Sequence, residues 1–179
     1  MPQSVRRRYR TSILIFGLLN LVQLISAQTA TPRTCPTTTA EENKALAERW
    51  VEDVVGAWDL GAVDALLADD HVHHAGYGAD DIRGREGYKR YLREIWAPAF
   101  PDPETTLEQV IAEGDSVVAR WTVKAAYQGG QGGTAKAGTQ VAWTGISIFR
   151  FACGGIVETW VEADGVSRLR QIGAINQTD

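Results

Sequence analysis

The second half of the chain carries four runs dense in β-branched and aromatic residues, Thr105 to Glu113, Ser116 to Tyr127, Thr139 to Phe151 and Ile156 to Val161, parted by Gly-Asp or glycine-rich stretches. Runs of this kind bounded by turn residues read as consecutive strands, which commits this half to an antiparallel sheet. The last two meet at Gly154-Gly155, a two-residue turn signal, so the segment from Ile146 onward reads as a hairpin. With a two-residue period, Ile156, Glu158 and Trp160 share one face of the final strand, and Val157, Thr159 and Val161 the other. Asp164 falls at the strand exit, and Leu169 to Gly173 closes the fold.

The first half is helical. Thr39 followed by Glu42 is a capping box, and Leu46, Trp50 and Val54, with Ala47, Val51, Val55 and Trp58, recur at helical spacing over residues 40 to 58. A short helix over Ala62 to Ala68 buries Val63, Leu66 and Leu67, and Asp70-His71-Val72-His73-His74 reads as a strand. A third helix spans Gly84 to Ala97, with Tyr88, Tyr91, Leu92, Ile95 and Trp96 as its apolar stripe and Pro98 at its end. Three helices before a run of strands predict an α+β domain whose helices cover one face of a curved, mostly antiparallel sheet. The glycine-rich stretch Gly129 to Gly133 reads as a flexible surface loop: it lacks the Lys-Ser/Thr of a phosphate loop and opens no helix.

Residues 1–27 have a basic start (Arg6, Arg7, Arg8, Arg10), an apolar stretch from Ile13 to Ile25, and small residues Ser26-Ala27, the pattern of a cleaved signal peptide. The apolar run is short for a membrane anchor, which needs roughly 20 residues. Residues 28–39 form a Thr/Pro-rich lead-in, and 40–175 the folded domain. Without the first 27 residues the chain keeps 14 Lys and Arg against 22 Asp and Glu, a net charge of −8. That balance argues against nucleic acid and against an anionic membrane surface as partners, and towards a small organic molecule. Export would place Cys35 and Cys153 in an oxidising compartment, where a disulfide between them is expected to contribute up to roughly 4 to 5 kcal/mol in the chain-entropy picture.

Several segments in the right order resemble the SnoaL-like polyketide cyclases and ester cyclases of the nuclear transport factor 2-like superfamily. NKALAERWVEDVV is similar to the opening helix, ADDHVHHAG to a strand with an Asp-x-Val-x-His pattern, and GREGYKRYLREIW with FPD to the third helix and its exit. IAEGDSVVARWTVKAAYQG and WTGISIFRFACGGIVETWVEAD are similar to the long hairpins, and LRQIG to the closing segment. The resemblance implies a cone-shaped barrel enclosing one apolar pocket, cofactor-free chemistry, no metal, and homodimer formation through the outer sheet face. It implies Asp164 as the base of an intramolecular aldol ring closure, with His74 nearby. Ala125-Ala126-Tyr127 stands where the family has Gly-Thr-His before a lid loop, which brings Tyr127 to the pocket with a different mouth.

Proton abstraction next to a carbonyl needs a carboxylate in an apolar site and a donor for the enolate, a chemistry that suits Asp164 and His74. Trp160, Trp143 and Trp121 supply apolar walls for a small apolar or aromatic substrate. Each assignment has a plainer counterpart. Asp164 is either a base or a turn residue capping the strand exit. Glu158 is either a second pocket acid or a cross-strand partner of Arg150 or Lys124, and Arg120 either a pocket cation or a solvated edge residue. Strand alternation sends His71 and His73 to the face opposite His74, leaving His74 as the expected pocket histidine and no metal cluster. The leading expectation is a cyclase, isomerase or lyase. The alternatives are an exported ligand-binding domain without catalysis, and an epoxide hydrolase or hydratase using Asp164, Glu158 and Arg120.

Overall fold

Capping and periodicity place the first helix where the sequence predicts it. In the computed structural model, which describes residues 35–74, 76 and 80–176, Thr39 accepts from the Glu42 amide while Glu42 accepts from the Thr39 amide. Helix α1 (Ala40–Arg49) then loosens into a π-helical stretch, Trp50–Val55. Asn43, fully buried on α1, donates to the Gly114 carbonyl at 3.1 Å and so ties the helix to a turn of the sheet. The segment read as a signal peptide, residues 1–27, lies outside the described residues. No helix among those described is long and apolar enough to cross a membrane.

Helix α2 (Leu60–Leu66), capped by Asp59, runs directly into strand β1 (Leu67–His74). A two-residue strand β2 (Ile82–Arg83) follows, then α3 (Arg85–Tyr91), a second π-helical stretch Leu92–Trp96, and a single turn α4 (Ala97–Ala99). Strands β3 (Glu104–Glu113), β4 (Ser116–Tyr127), β5 (Thr139–Ala152) and β6 (Gly155–Ala163) form the meander the sequence predicts, and α5 (Gly165–Gln171) closes the chain. Neither β2 nor α5 is an element expected from the sequence.

The strand order is β2-β1-β6-β5-β4-β3, so β1 inserts beside β6 in parallel while every other pair is antiparallel. The architecture is α+β, with helices on one face of a mixed six-stranded sheet that does not close. Val51, Val54, Val63, Phe149 and Ile156, all fully buried, lie in the core between helices and sheet, and Trp50 meets Phe149 edge-on at 5.0 Å. Cys35 and Cys153 form the expected disulfide, which ties the lead-in to the β5–β6 turn.

Two local features correct the sequence reading of the last hairpin. Its turn residues are Cys153 and Gly154, both with positive φ (54° and 82°), while Ala152 pairs with Gly155. That is the mirror-image turn that matches strand twist. Beyond it, Arg150 pairs with Glu158 but Phe151 with Ile156, so Val157 is an extra, bulged residue. The bulge reverses the alternation: Ile156, Thr159, Val161 and Ala163 face inward, and Glu158, Trp160 and Glu162 face outward.

Candidate functional site

Aromatic side chains from both halves of the chain meet at one end of the core and leave a cavity. The inner part is small, about 70 Å³, and is walled by Trp50, Trp58, Tyr88, Leu92 and others. It shares His73, Tyr91, Trp96, Trp121, Trp143 and Val161 with an outer part of about 570 Å³, which Asp80, Ile82, Ile95 and Arg168 also line. Both π-helical stretches supply walls, Trp50 and Val55 from the first, Leu92, Ile95 and Trp96 from the second. A wider turn shifts the side-chain spacing away from 3.6 residues, and such turns recur at functional sites.

The sheet wall depends on one glycine. Trp121 on β4 pairs with Gly145 on β5, and a Cβ at Gly145 would collide with the Trp121 six-membered ring. The bare position lets the indole lie against β5, while its Nε1 donates to Ser147 Oγ at 3.0 Å. Trp96 stacks between Trp58 and Trp143 at 6.0 and 6.1 Å, and Trp58 Nε1 donates to the Phe100 carbonyl at 2.7 Å. The indoles are thus fixed by hydrogen bonds and by one another.

His73 is the histidine of the cavity. It is 6% exposed, its ring sits 5.1 Å from Tyr88 and 5.8 Å from Tyr91, and Nδ1 has no partner among the described residues. Burial, reinforced by the nearby His71 and His74, lowers its pKa to about 4, so the ring is neutral near pH 7. His71, deeper in the core, donates from Nδ1 to the Ile156 carbonyl at 3.2 Å, and burial likewise lowers its pKa to about 4. Burial raises the pKa of Tyr91 above the ordinary phenol value, with Trp96 and Arg168 opposing, so its hydroxyl stays protonated.

The residues expected at the pocket distribute differently. Trp143 and Trp121 line it. His74 lies on the outer sheet face, stacked on Trp160 with ring centres 4.7 Å apart and planes 11° apart. Its Nδ1 stands 3.2 Å from Asp81 and its Nε2 3.4 Å from Glu158. The alternation read from the sequence is right, but the face turned inward is that of His71 and His73. Glu158 is the cross-strand partner of Arg150, at 2.5 Å, and that hydrogen bond holds its pKa below the usual carboxylate value. Arg120 is on the outer face, 3.7 Å from Glu108. Tyr127 is fully buried against Phe100 and donates to the Gly130 carbonyl at 2.6 Å, outside the cavity wall.

Asp164 is exposed at the start of α5, where it caps the helix by accepting from the Ser167 amide at 2.9 Å. It borders an outer groove of about 270 Å³ with Arg120, and Glu158 is not part of that groove. The structure therefore does not bring Asp164, Glu158 and Arg120 together around one point, as water activation would require. Among the described residues no group of three or more His, Cys, Asp or Glu side chains is placed to hold a metal ion. Sequence reasoning missed His73, Asp80 and Arg168. For His73 the signal was present in the alternation, whose inward face it could not choose.

Known structures resemble the fold. AclR of Streptomyces galilaeus, proposed as a hydroxylase, superposes with a TM-score of 0.66 at 27% identity, covering 79% of this chain and 87% of AclR. IdmH of Streptomyces antibioticus, proposed as a polyketide cyclase, gives a TM-score of 0.63 at 25% identity, over 73% of this chain and 98% of IdmH. A SnoaL-like protein from Jannaschia sp. CCS1 matches at 0.69 and 20% identity, over 79% and 98%. The last likeness bears on fold alone, that of the nuclear transport factor 2-like proteins. No curated protein matches the sequence. The sequence of the SnoaL-like polyketide cyclases matches residues 45–172, from the middle of α1 to the end of α5. With every element of the sheet and cavity inside that span, the chain belongs to the SnoaL-like polyketide cyclase family.

Proposed function

We propose that this chain is a cofactor-free enzyme of the cyclase, isomerase or lyase kind, which removes a proton α to the carbonyl of a small apolar substrate held in the aromatic cavity. One observation carries the reading: a neutral, buried histidine, His73, lies in the wall of a mostly apolar cavity with Nδ1 unpartnered among the described residues. A buried polar atom without a partner costs roughly 1–3 kcal/mol, so such a ring is commonly matched by a ligand group. A neutral imidazole can donate to an oxygen that gains charge as an enolate forms, and the protonated Tyr91 hydroxyl is a second donor. Among the described residues the carboxylate lining the cavity is Asp80, which favours it as base over Asp164, a helix cap that lies outside that lining.

The test is deuterium exchange. A panel of bicyclic aromatic ketones and β-keto esters, incubated with the protein in D2O, should lose α-proton NMR signal faster than without it. His73→Gln and Asp80→Asn should each slow that exchange by about 10²-fold. Exchange that both variants leave untouched sinks this assignment.

A second reading, ligand binding without turnover, is favoured by the capping role of Asp164, the residue that the family resemblance designates as base. Binding with no exchange for any panel member would select it. We also propose export, supported by the Cys35–Cys153 disulfide and the signal-like N-terminus. A homodimer through the outer sheet face is supported by the row Ile111, Val118, Ile148, Trp160 and His74, which runs from strand to strand across that face. Ile111, Ile148 and Trp160 are 57, 43 and 37% exposed.

A further inference from the structure

We propose that the inner part of the cavity is an oxygen pocket, in which Trp50 Nε1 and His73 Nδ1 hold the substrate's carbonyl oxygen while its ring body stays in the outer part among Trp96, Trp121 and Trp143. The inference rests on the proton-abstraction reading of this cavity and adds Trp50 to the groups that touch the reacting atoms. Trp50 is 2% exposed in the wall of the inner part, and its Nε1 is buried without a hydrogen-bond partner among the described residues. His73 Nδ1, from a residue lining both parts, is buried and unpartnered in the same way. The inner part is the smaller, about 70 Å³ against about 570 Å³, so a ligand fills it with its smaller end.

Two neighbouring indoles show the contrast. Trp58 Nε1 is engaged by the Phe100 carbonyl and Trp121 Nε1 by Ser147 Oγ. Trp50 is instead held by packing, edge-on to Phe149 at 5.0 Å and at the head of the π-helical stretch that continues into the fully buried Val51 and Val54. An indole N–H only donates, so the partner it lacks has to be an acceptor. A neutral imidazole donates from one ring nitrogen, and with the proton on Nδ1 a single carbonyl oxygen, which has two lone pairs, is matched by both side chains. A hydrocarbon end in the same place would leave both nitrogens unmatched.

The pair suits the reaction as well as binding. When the α C–H bond breaks and its proton passes to the base, the electron pair forms the C=C bond and the carbonyl oxygen takes up negative charge. Donors fixed in an apolar wall stabilise that charge without having to reorient. Trp50 keeps its own proton throughout.

Two probes of one shape isolate the oxygen: 2-naphthol, a stable aromatic counterpart of an enol, and 2-methylnaphthalene. An apolar wall alone prefers the methyl group, because burying a hydroxyl without a partner is unfavourable. Equilibrium dialysis at pH 7 should instead show naphthol bound about tenfold more tightly. Trp50→Phe should erase that preference while leaving methylnaphthalene affinity roughly unchanged, which also shows that the cavity still forms. In the native protein, naphthol and not methylnaphthalene should move the Trp50 indole N–H resonance downfield, a readout independent of how the variant folds. Equal or reversed affinities, an unmoved Trp50 resonance with naphthol bound, or a preference that survives Trp50→Phe overturns the oxygen-pocket inference alone. If neither probe binds, the cavity reading falls with it.

Discussion

The Trp160 indole lies flat on the His74 imidazole, 4.7 Å between ring centres, on the side of the sheet away from the cavity. The pair extends an apolar row that crosses five strands, bordered by the Arg150–Glu158 and Arg120–Glu108 pairs. The proposed homodimer would bury this stripe, as exposed apolar stripes on open sheets commonly serve association. Ile148→Glu with Trp160→Ala should convert a dimer to monomer in sedimentation velocity while leaving ligand affinity in the cavity within about twofold. A native protein that sediments as a monomer would remove the dimer from consideration.

The buried histidines predict acid sensitivity with a definite sign. His71 and His73 have pKa values near 4 when folded against 6.5 when free, so between those limits the unfolded chain binds more protons. Stability therefore falls as pH drops from about 6.5 towards 4, by up to ~3 kcal/mol for each ring. Urea midpoints measured at pH 7.5, 6, 5 and 4.5 should decline across this window, and His73→Gln should flatten the slope. A midpoint constant down to pH 4.5 contradicts the neutral assignment.

Asp164 separates two roles by one pair of variants. As a helix cap, its replacement by Ala should cost about 1 kcal/mol and its replacement by Asn markedly less, because Asn caps nearly as well. As a base, both replacements would abolish α-proton exchange alike. Thermal denaturation and the exchange assay on Asp164→Asn and Asp164→Ala together distinguish these patterns. We expect the capping pattern, with exchange retained in both.

Gly145 should be as intolerant as a catalytic residue although it has no side chain. Gly145→Val must displace the Trp121 ring, and overpacking of this kind costs typically 1–3 kcal/mol. We expect a folded, less stable protein whose tryptophan fluorescence no longer responds to 2-naphthol. Unaltered ligand response in Gly145→Val would show that the cavity wall does not rest on this pairing.

The strands and helices were legible because their signals are local. Thr39 and Glu42 announce the cap of α1, and the aromatic and β-branched runs announce β3 to β6. What could not be read needs information from elsewhere in the fold. The sequence of β1 shows that His73 and His74 point oppositely, but which one is inside depends on the parallel pairing of β1 with β6, in which His74 lies beside the distant Trp160. The disulfide was readable from compartment and count, while the helix at Gly165–Gln171 hid behind Ala163-Asp164-Gly165, which looks equally like a turn.

The bulge at Val157 carries a consequence for any transfer of residue roles along the last strand. Its side chains run in two phases, one up to Ile156 and the other from Glu158 onward, and the surplus residue is what joins them. A strand of the same length and spelling that paired without the bulge would turn its tryptophan and glutamate into the cavity. Shared spelling on this strand therefore says little about which side of the sheet a residue serves until its pairing with β5 beyond the turn is known.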